Sequence, residues 1–239
     1  MSDLTILTCN YNTPELICYL KKSIDKFSNL QAKFLVVNTS SNDDSEKILD
    51  DNNIQYINFK KQTHGRGVNF GLQNVTTRYV LLLDSDIIIT SDVSDVYKRF
   101  VDKGLALAGR VVGDEGGKKL HSRVDPSFCF IDNDVLKQHG IVFFDEERTK
   151  LSRKTGDRVY NIGSTMYEDV KNNKLLIGDF DLRGKRFIHY EGMSWRVQSF
   201  NPNQGDTDID FGGTHPNAGL KQIGEQVLRQ YYHDIKHFF

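Results

Sequence analysis

Two acidic residues interrupt an apolar run in the first half of the chain, which reads Leu-Leu-Leu-Asp-Ser-Asp-Ile-Ile-Ile at residues 81–89. An ionised carboxylate buried without a partner costs on the order of several kcal/mol, so Asp84 and Asp86 need a cation, hydrogen-bond donors or contact with solvent. The pattern leaves two interpretations open. Either an ordinary turn follows a strand that ends at Leu83, or the two carboxylates form a divalent-metal site. Carboxylate oxygens favour Mg²⁺ or Mn²⁺.

Two earlier polar segments contain residue types suited to nucleotide binding. Each follows a short apolar stretch, and their candidate ligand-binding residues are Thr8, Asn10, Tyr11, Asn12, Asn38 and Ser40. Amides and hydroxyls can bond a base edge or a ribose, and the ring of Tyr11 can stack on a base. Asn, Ser and Asp also favour turns and helix caps without any ligand, which explains each segment taken alone. Together with the two carboxylates, the segments indicate a nucleotide-diphosphate site.

The elements that must position these residues alternate between strands and helices. We predict strands at Leu4–Cys9, Phe34–Val37, Ile54–Phe59 and Tyr79–Leu83, and helices from an Asn12 cap to Phe27, at Asp44–Leu49 and at Gly67–Val75. This alternation predicts a mainly parallel, doubly wound sheet. Ligands bind outside the carboxyl ends of such strands, so the polar segments are expected to converge there.

Composition excludes several classes of protein. The 239 residues contain 31 Lys and Arg against 32 Asp and Glu, which does not indicate a nucleic-acid or membrane-surface binder. No signal peptide or apolar stretch of spanning length is present, and we expect a soluble, cytoplasmic protein. Cys9, Cys18 and Cys129 lack metal-ligand spacing and are expected to be reduced core residues.

The second half of the chain is less regular. We predict a helix at Asp92–Lys103, a strand at Leu105–Val112, a turn at 113–119 into a strand at Leu120–Val124, a loop from Asn201 to Gly219 and a helix at Leu220–Phe239. The segment 113–124 is either a hairpin or a mobile loop. The final helix has an apolar side and several aromatic residues. It is expected to pack on the domain, on an acceptor or on a second subunit, which would form a homo-oligomer.

Four segments in the same order resemble the family 2 glycosyltransferases with the GT-A fold. They are Thr-Cys-Asn-Tyr-Asn at 8–12, Val-Val-Asn-Thr-Ser-Ser-Asn-Asp at 36–43, His-Gly-Arg-Gly-Val-Asn-Phe-Gly at 64–71 and Leu-Asp-Ser-Asp at 83–86. The resemblance covers roughly residues 3 to 145, and within it Ser127–Asp132 resembles the family's strand after the metal site. It implies a Rossmann-like three-layer α/β sandwich with a mainly parallel central sheet, a smaller acceptor-side β element and a C-terminal helix.

The resemblance also implies a function and a division of the chain. The expected reaction moves a sugar from a nucleotide diphosphate sugar, a UDP-sugar by family expectation, to an acceptor hydroxyl, with inversion. We expect a catalytic domain at 1–200, with a nucleotide-sugar half at 1–100 and an acceptor half at 101–200, followed by a loop and helix at 201–239. Relatives commonly have Asp where this chain has Asn38, which leaves the base undetermined.

Site roles follow from the resemblance residue by residue. The Asp-x-Asp element implies that Asp84 and Asp86 hold Mn²⁺ or Mg²⁺ and that Asp84 and Ser85 contact the donor. The glycine-rich element implies donor contacts from Gly65, Arg66 and Asn69. His189 resembles the family's late histidine, a third metal ligand or a diphosphate contact.

The general base has two competing alignments. Glu168 and Asp169 match a Glu-Asp element, whereas Asn161-Ile162-Gly163 stands at the place of Asp-x-Gly without the carboxylate. We favour Glu168 or Asp169, while Asp179 and Asp181 stay open, and a solvated helix face explains the favoured pair equally well. Trp195 and Arg196 are further candidates for sugar and phosphate contacts.

Two alternative functions and the acceptor stay open. One alternative is a sugar-nucleotide-binding protein that has lost its base, as Asn161 suggests. The other is an NADP-dependent short-chain dehydrogenase, since Tyr167 and Lys171 match its Tyr-x-x-x-Lys spacing, but the first strand-to-helix turn lacks the glycines of a dinucleotide site. The acceptor is a glycan, a protein, a lipid-linked saccharide or a modified nucleic acid base.

Overall fold

The computed structural model of the chain describes residues 3–11, 13–40, 44–114, 119–156, 158–190, 192 and 219–239. Its strands are β1 (Leu4–Asn10), β2 (Lys33–Asn38), β3 (Tyr56–Asn58), β4 (Tyr79–Leu83), β5 (Ile87–Ile89), β6 (Leu107–Val112), β7 (Arg123–Asp132), β8 (Ile177–Asp179) and β9 (Phe187–His189). Its helices are α1 (Pro14–Phe27), α2 (Ser45–Asp51), α3 (His64–Asn74), α4 (Ser94–Asp102), α5 (Asn133–Gln138), α6 (Glu146–Thr155), α7 (Ser164–Asn172) and α8 (Gly219–Phe238).

A seven-stranded sheet in the order β3-β2-β1-β4-β7-β6-β8 forms the centre of the fold. Strands β1 to β4 pair in parallel, β7 is antiparallel to both β4 and β6, and β8 is parallel to β6. All strands of this sheet except β7 therefore point the same way. The predicted mainly parallel sheet is confirmed, and β5 and β9 form a separate antiparallel pair.

Two apolar layers cover the sheet, one on each face. Along β1, Leu7 and Cys9 face a cluster with α3 and α7, while Leu4 and Ile6 face a cluster with α1 and α4. Every residue of β4 is buried, as expected of a central strand covered on both sides. Cys9, Cys18 and Cys129 are free and buried, which confirms the expectation for the cysteines.

Several predicted element boundaries need correction. The helix predicted from Gly67 begins at His64, and its glycines lie at a close contact with the sheet. A Cβ on Gly67 would stand 2.8 Å from Thr39 Cγ2, so the glycine allows this approach. The N-cap of α1 is Thr13, whereas Asn12, predicted as the cap, lies outside the described residues.

The predicted strands at Leu120–Val124 and Ser127–Asp132 belong largely to one strand, β7. Leu120 forms only an isolated bridge to Val159, and β7 begins at Arg123. The register with β6 shifts between Gly109 and Val111, opposite Pro126, which has no N–H for the ladder. This irregular stretch carries Asp125 and Ser127 at the edge of the sheet.

The C-terminal helix packs on its own domain in the part whose side chains are described. Tyr231 and Ile235 are buried against Leu16, Ile88 and Tyr190. The predicted helix is confirmed, but an oligomer through α8 and a boundary at residue 200 stay predictions. The predicted loop after Asn201, with Trp195 and Arg196 before it, lies outside the described residues. Within the described part of the chain, no helix is both long and apolar enough to cross a bilayer.

Candidate metal and donor site

The chain brings Asp84, Asp86 and His189 together where β4 ends and the small second sheet begins. Asp84 follows the last residue of β4, and its N–H donates to the Ser127 carbonyl at 3.1 Å. Asp86 precedes β5, whose first residue, Ile87, pairs with His189 on β9. Residues that are about one hundred positions apart in the sequence therefore share one edge of the fold.

The three side chains have the geometry of a single cation site. One ligand atom from each lies within 4.8 Å of the other two. His189 Nε2 is 3.2 Å from Asp86 Oδ1 and 3.7 Å from Asp84 Oδ2. Metal–ligand bonds of about 2.0–2.2 Å place neighbouring ligands about 3 Å apart, which is close to the separation of His189 and Asp86 and shorter than that of His189 and Asp84. Two carboxylates and an imidazole are ligand types that suit Mg²⁺ or Mn²⁺.

The electrostatics of this group favour added positive charge. The side chains of Asp86 and His189 are only 7% and 6% exposed. Burial raises the pKa of Asp84, the charge of Asp86 raises it further, and His64 opposes both. Burial lowers the pKa of His189, but its hydrogen bond to Asp86 and the charges of Asp86 and Asp84 outweigh this, so the net shift is upward. A bound cation favours the ionised carboxylates.

His64 belongs to this site and was missed at the sequence level. It is the first residue of α3, and its Nε2 lies 3.6 Å from Asp84 Oδ1. The sequence signal was its position immediately before Gly65, inside a segment already assigned to the donor.

The predicted donor residues of α3 have partners inside the protein. The guanidinium of Arg66 pairs with the carboxylate of Glu146, with Nε at 2.8 Å. Asn69 donates to the Phe144 carbonyl at 2.7 Å and accepts from the Phe144 N–H at 3.2 Å. A Cβ on Gly65 would clash with the Phe144 ring at 2.5 Å. These contacts fasten residues 144–146 to α3, and donor binding by Gly65, Arg66 and Asn69 stays a prediction.

A buried amide and hydroxyl network joins the ends of β1 and β2. Asn10 Nδ2 lies 3.0 Å from Asn38 Oδ1, 2.9 Å from Ser40 Oγ and 2.7 Å from Ser45 Oγ. Asn38 Nδ2 donates to Asn58 Oδ1 at 3.0 Å. The predicted nucleotide contacts Asn10, Asn38 and Ser40 thus bond one another, and their donor role stays a prediction.

The remaining predicted donor residues differ in their exposure. Thr8 is fully buried, and its Oγ1 has no hydrogen-bond partner among the described residues. Ser85, which lies between Asp84 and Asp86 in the sequence, is buried. Tyr11 is half-buried at the end of β1.

Glu168 and Asp169, the favoured candidates for the base, lie in a separate ion-pair cluster on α7. Arg148 Nη1 donates to both oxygens of Asp169 at 2.8 and 2.9 Å, and its Nη2 pairs with Glu168. The Tyr160 hydroxyl also bonds Glu168. In the described part of the chain, none of their hydrogen bonds reaches Asp84, Asp86 or His189, so the base stays undetermined.

A second layer of charged residues adjoins His189. Arg183 Nη2 donates to Asp125 Oδ2 at 2.8 Å and lies 3.2 Å from His189 Nδ1. Sequence reasoning missed both Asp125 and Arg183. An open pocket beside them is lined mainly by Arg110, Asp125, Phe128, Asp181, Arg183 and Phe187.

Comparison with known proteins identifies the family. The protein-family model described as glycosyl transferase family 2 matches residues 5–173, which is more than half of the chain. The chain belongs to glycosyl transferase family 2. This match confirms the resemblance and the predicted transferase class, and it does not support a dehydrogenase.

Solved structures of other glycosyltransferases share the fold. S. aureus TarS 1-349 in complex with UDP has a TM-score of 0.53 at 17% identity, and the match covers 97% of this chain and 71% of TarS 1-349. Galactosyltransferase LgtC has a TM-score of 0.50 at 11% identity, covering 74% of this chain and 73% of LgtC. These likenesses confirm the GT-A fold of this family 2 glycosyltransferase.

A curated relative matches part of the chain more closely. The teichoic acid poly(glycerol phosphate) polymerase of Staphylococcus epidermidis is 32% identical over 93 residues. This match covers 36% of the present chain and 13% of the polymerase, so the chain corresponds to a small part of that larger protein.

Proposed function

We propose that this glycosyltransferase moves a sugar from a UDP-sugar to an acceptor hydroxyl in a reaction that depends on Mn²⁺ or Mg²⁺. The observation that carries the proposal is the convergence of Asp84, Asp86 and His189, whose ligand atoms lie within 4.8 Å of one another at the ligand-binding edge of the sheet. When bound, the cation supplies positive charge that stabilises a departing diphosphate.

The residues of the chain have separate tasks in this proposal. Asp84 and Asp86 provide oxygen ligands, and His189 provides a nitrogen ligand from the paired strand. His64 lies against the second oxygen of Asp84 and holds that carboxylate toward the site. Because Asp86 and His189 are almost fully buried, their positions are fixed before a donor arrives.

Two solved structures with the same fold support a uridine nucleotide as the donor. TarS 1-349 has been solved with UDP and with UDP-GlcNAc. In this chain the Asn38 amide bonds Asn10 and Asn58, at the position where the family resemblance implies an aspartate. A cytidine or guanosine nucleotide is the competing outcome of a donor screen.

Inversion by direct displacement requires a carboxylate that accepts the acceptor's proton. Glu168 and Asp169 are bound to Arg148, whereas Asp181 lines the pocket beside Arg183. We therefore include Asp181 with Glu168 and Asp169 as candidates for the base. Replacing each by its amide separates them, because only loss of the base lowers the rate of transfer while donor affinity is kept.

Thermal unfolding with a panel of nucleotide sugars tests the proposal. A ligand that binds the folded state raises the Tm, so UDP-sugars are expected to raise it with Mn²⁺ and much less without it. The variant Asp84→Asn should abolish the dependence on Mn²⁺, while Asp102→Asn, at an exposed helical ion pair, should keep it. Equal shifts with and without Mn²⁺ would contradict the proposed metal site.

A second measurement separates an enzyme from an inactive binding protein. Incubation with the best donor and Mn²⁺ should release UDP, faster with acceptors drawn from glycans, lipid-linked saccharides, proteins and nucleic acids. The anomeric configuration of the product, determined by NMR, tests inversion. Tight donor binding with neither hydrolysis nor transfer would favour a protein that has lost its base.

A further inference from the structure

Arg183 lies on the segment between β8 and β9, directly beside the proposed metal ligand His189. One nitrogen of its guanidinium, Nη2, is 2.8 Å from Asp125 Oδ2 and 3.2 Å from His189 Nδ1. The side chain of His189 is 6% exposed and that of Asp125 is 16% exposed, so both partners are largely shielded from water. The arginine therefore bridges a carboxylate and an imidazole at the border of the site.

The hydrogen bond from Arg183 determines which ring nitrogen of a neutral His189 carries the proton. A guanidinium has donors and no acceptor, so Nδ1 must accept, and the proton of a neutral ring is then on Nε2. Nε2 is the atom that faces Asp86 at 3.2 Å and Asp84 at 3.7 Å. An N–H at this position donates to the carboxylates and cannot coordinate a cation.

A metal-binding histidine ordinarily donates its other N–H to a carboxylate, a carbonyl or water. Here a donor from Arg183 occupies the position where an acceptor is needed. Asp125 could supply that acceptor, because its carboxylate is bound to the same Nη2 and so stands next to His189. The structure thus contains both the group that opposes coordination by Nε2 and the group that would support it.

We propose that Arg183 controls cation binding at Asp84, Asp86 and His189 as a positioning residue. Its contact with His189 Nδ1 holds the imidazole as a hydrogen-bond donor to Asp86, and cation binding requires that contact to break. The inference rests on the proposed metal site. The side chain of Arg183 is 32% exposed, so its guanidinium can turn toward solvent and away from His189.

Affinity for Mn²⁺ alone, measured by calorimetry without nucleotide, tests this role. Arg183→Gln removes the opposing donor and offers an oxygen to Nδ1–H, so we expect about tenfold tighter binding than in the wild type, comparable with known effects of residues behind a metal ligand. Arg183→Met, with neither donor nor acceptor, should show a smaller gain.

Arg110→Gln is the matched control, because it removes the same charge from the same pocket without touching His189. It should bind Mn²⁺ about as the wild type does, since exposed charges are screened. If Arg183→Gln binds no more tightly than Arg110→Gln, or more weakly than the wild type, the proposal is overturned.

A measurement on the unmodified protein keeps the test independent of how the variants fold. Nitrogen-15 NMR of the histidine rings should show His189 protonated at Nε2 without metal and at Nδ1 with saturating Mg²⁺. Protonation at Nδ1 in both states would overturn the role of Arg183 while leaving the metal site intact. Absence of Mn²⁺ binding by the wild type would overturn both.

Discussion

Two polar clusters at the same edge of the sheet differ in how their groups are satisfied. At the ends of β1 and β2, Asn10, Asn38 and Ser40 bond one another and neighbouring residues, without net charge. At the end of β4, Asp84 and Asp86 face each other across His189, and burial and like charge raise the pKa of Asp84. The first cluster needs no ligand to be stable, whereas the second gains from a cation. Buried amides and hydroxyls that bond one another stabilise the fold, whereas a buried carboxyl with a raised pKa beside a second carboxylate is typical of functional sites.

The largest expected effect comes from removing one site carboxylate. Asp86→Asn should lower the rate of sugar transfer by about 10²-fold or more, because stabilisation of the leaving group is lost. Its free energy of unfolding without metal should not fall, since like-charge repulsion with Asp84 is relieved. Transfer assays and urea unfolding check both parts, with Asp102→Asn as the control. A strong loss of stability would show that Asp86 instead stabilises the fold.

Removing an amide from the network at the ends of β1 and β2 should lower the free energy of unfolding and leave metal binding nearly unchanged. Asn10→Ala removes the buried amide beside Asn38 Oδ1, Ser40 Oγ and Ser45 Oγ and the Oδ1 that accepts from the Thr13 N–H. The two hydroxyls keep each other and Asn38 Oδ1 keeps the Ser40 N–H, so we expect a cost of about 1–3 kcal/mol. Urea unfolding at neutral pH measures this loss. Calorimetry with Mn²⁺ should show nearly unchanged affinity for the folded variant. An Mn²⁺ affinity lowered about tenfold or more would show that the two clusters are coupled.

Asp84 and His189 should also make the stability of the metal-free protein depend on pH, which the uncharged amide network does not. Asp84 has a pKa raised above its usual 3.8, so the folded state binds more protons, and this carboxyl lowers stability as pH rises through that range. His189, with a pKa raised above 6.5, contributes stability at low pH that is lost as pH rises through its folded value. Asp92 and Asp125 have lowered pKa values and oppose this trend.

The contribution of Asp84 is therefore measured as a difference. Urea unfolding of the wild type and of Asp84→Asn, in chelator from pH 4 to pH 8, should show the wild type losing stability relative to the variant as pH rises. Saturating Mn²⁺ should reverse the trend, because the cation binds the ionised carboxylate. A pH-independent difference in chelator would mean that Asp84 is not under electrostatic strain.

The smallest expected effect concerns two tyrosines that pack together, Tyr190 after β9 and Tyr231 on α8. The Tyr190 hydroxyl donates to Asp234 at 2.6 Å, whereas the buried Tyr231 hydroxyl has no hydrogen-bond partner among the residues described. Tyr190→Phe should cost about 1 kcal/mol, and Tyr231→Phe should be neutral or slightly stabilising. Thermal unfolding of the two variants measures both costs. Equal costs would contradict the different roles of the two hydroxyl groups.

The first half of the fold was predictable because its signals are local. Apolar strands such as Tyr79–Leu83 are bounded by polar turns, and their order determines a parallel sheet. Asp84 and Asp86 were identified because two carboxylates conflict with the buried strand around them. The helix Glu146–Thr155 was missed, since it has no apolar stripe and buries only Thr149 and Ser152. Its cap at Asp145 and the left-handed Gly156 define its ends.

The rest of the site depends on contacts between distant parts of the chain. Asp125 reaches the site through the irregular stretch around Pro126, and Arg183 through its position before β9. Neither arrangement leaves a periodic pattern in the sequence. The amides of Asn10 and Asn38 were predicted to face a ligand, but whether an amide points toward a cleft or toward its neighbours is decided by strand register.

The pairing of β5 with β9 has a consequence for the order of events during synthesis. The seven strands of the main sheet are all present once the ribosome has added Asp179, yet the imidazole partner of Asp86 comes ten residues later. A nascent chain can therefore assemble its central scaffold before it can hold a cation with all three side chains. The three side chains of the proposed cation site are therefore all present only after the polypeptide has returned to the acidic turn that it left about one hundred residues earlier.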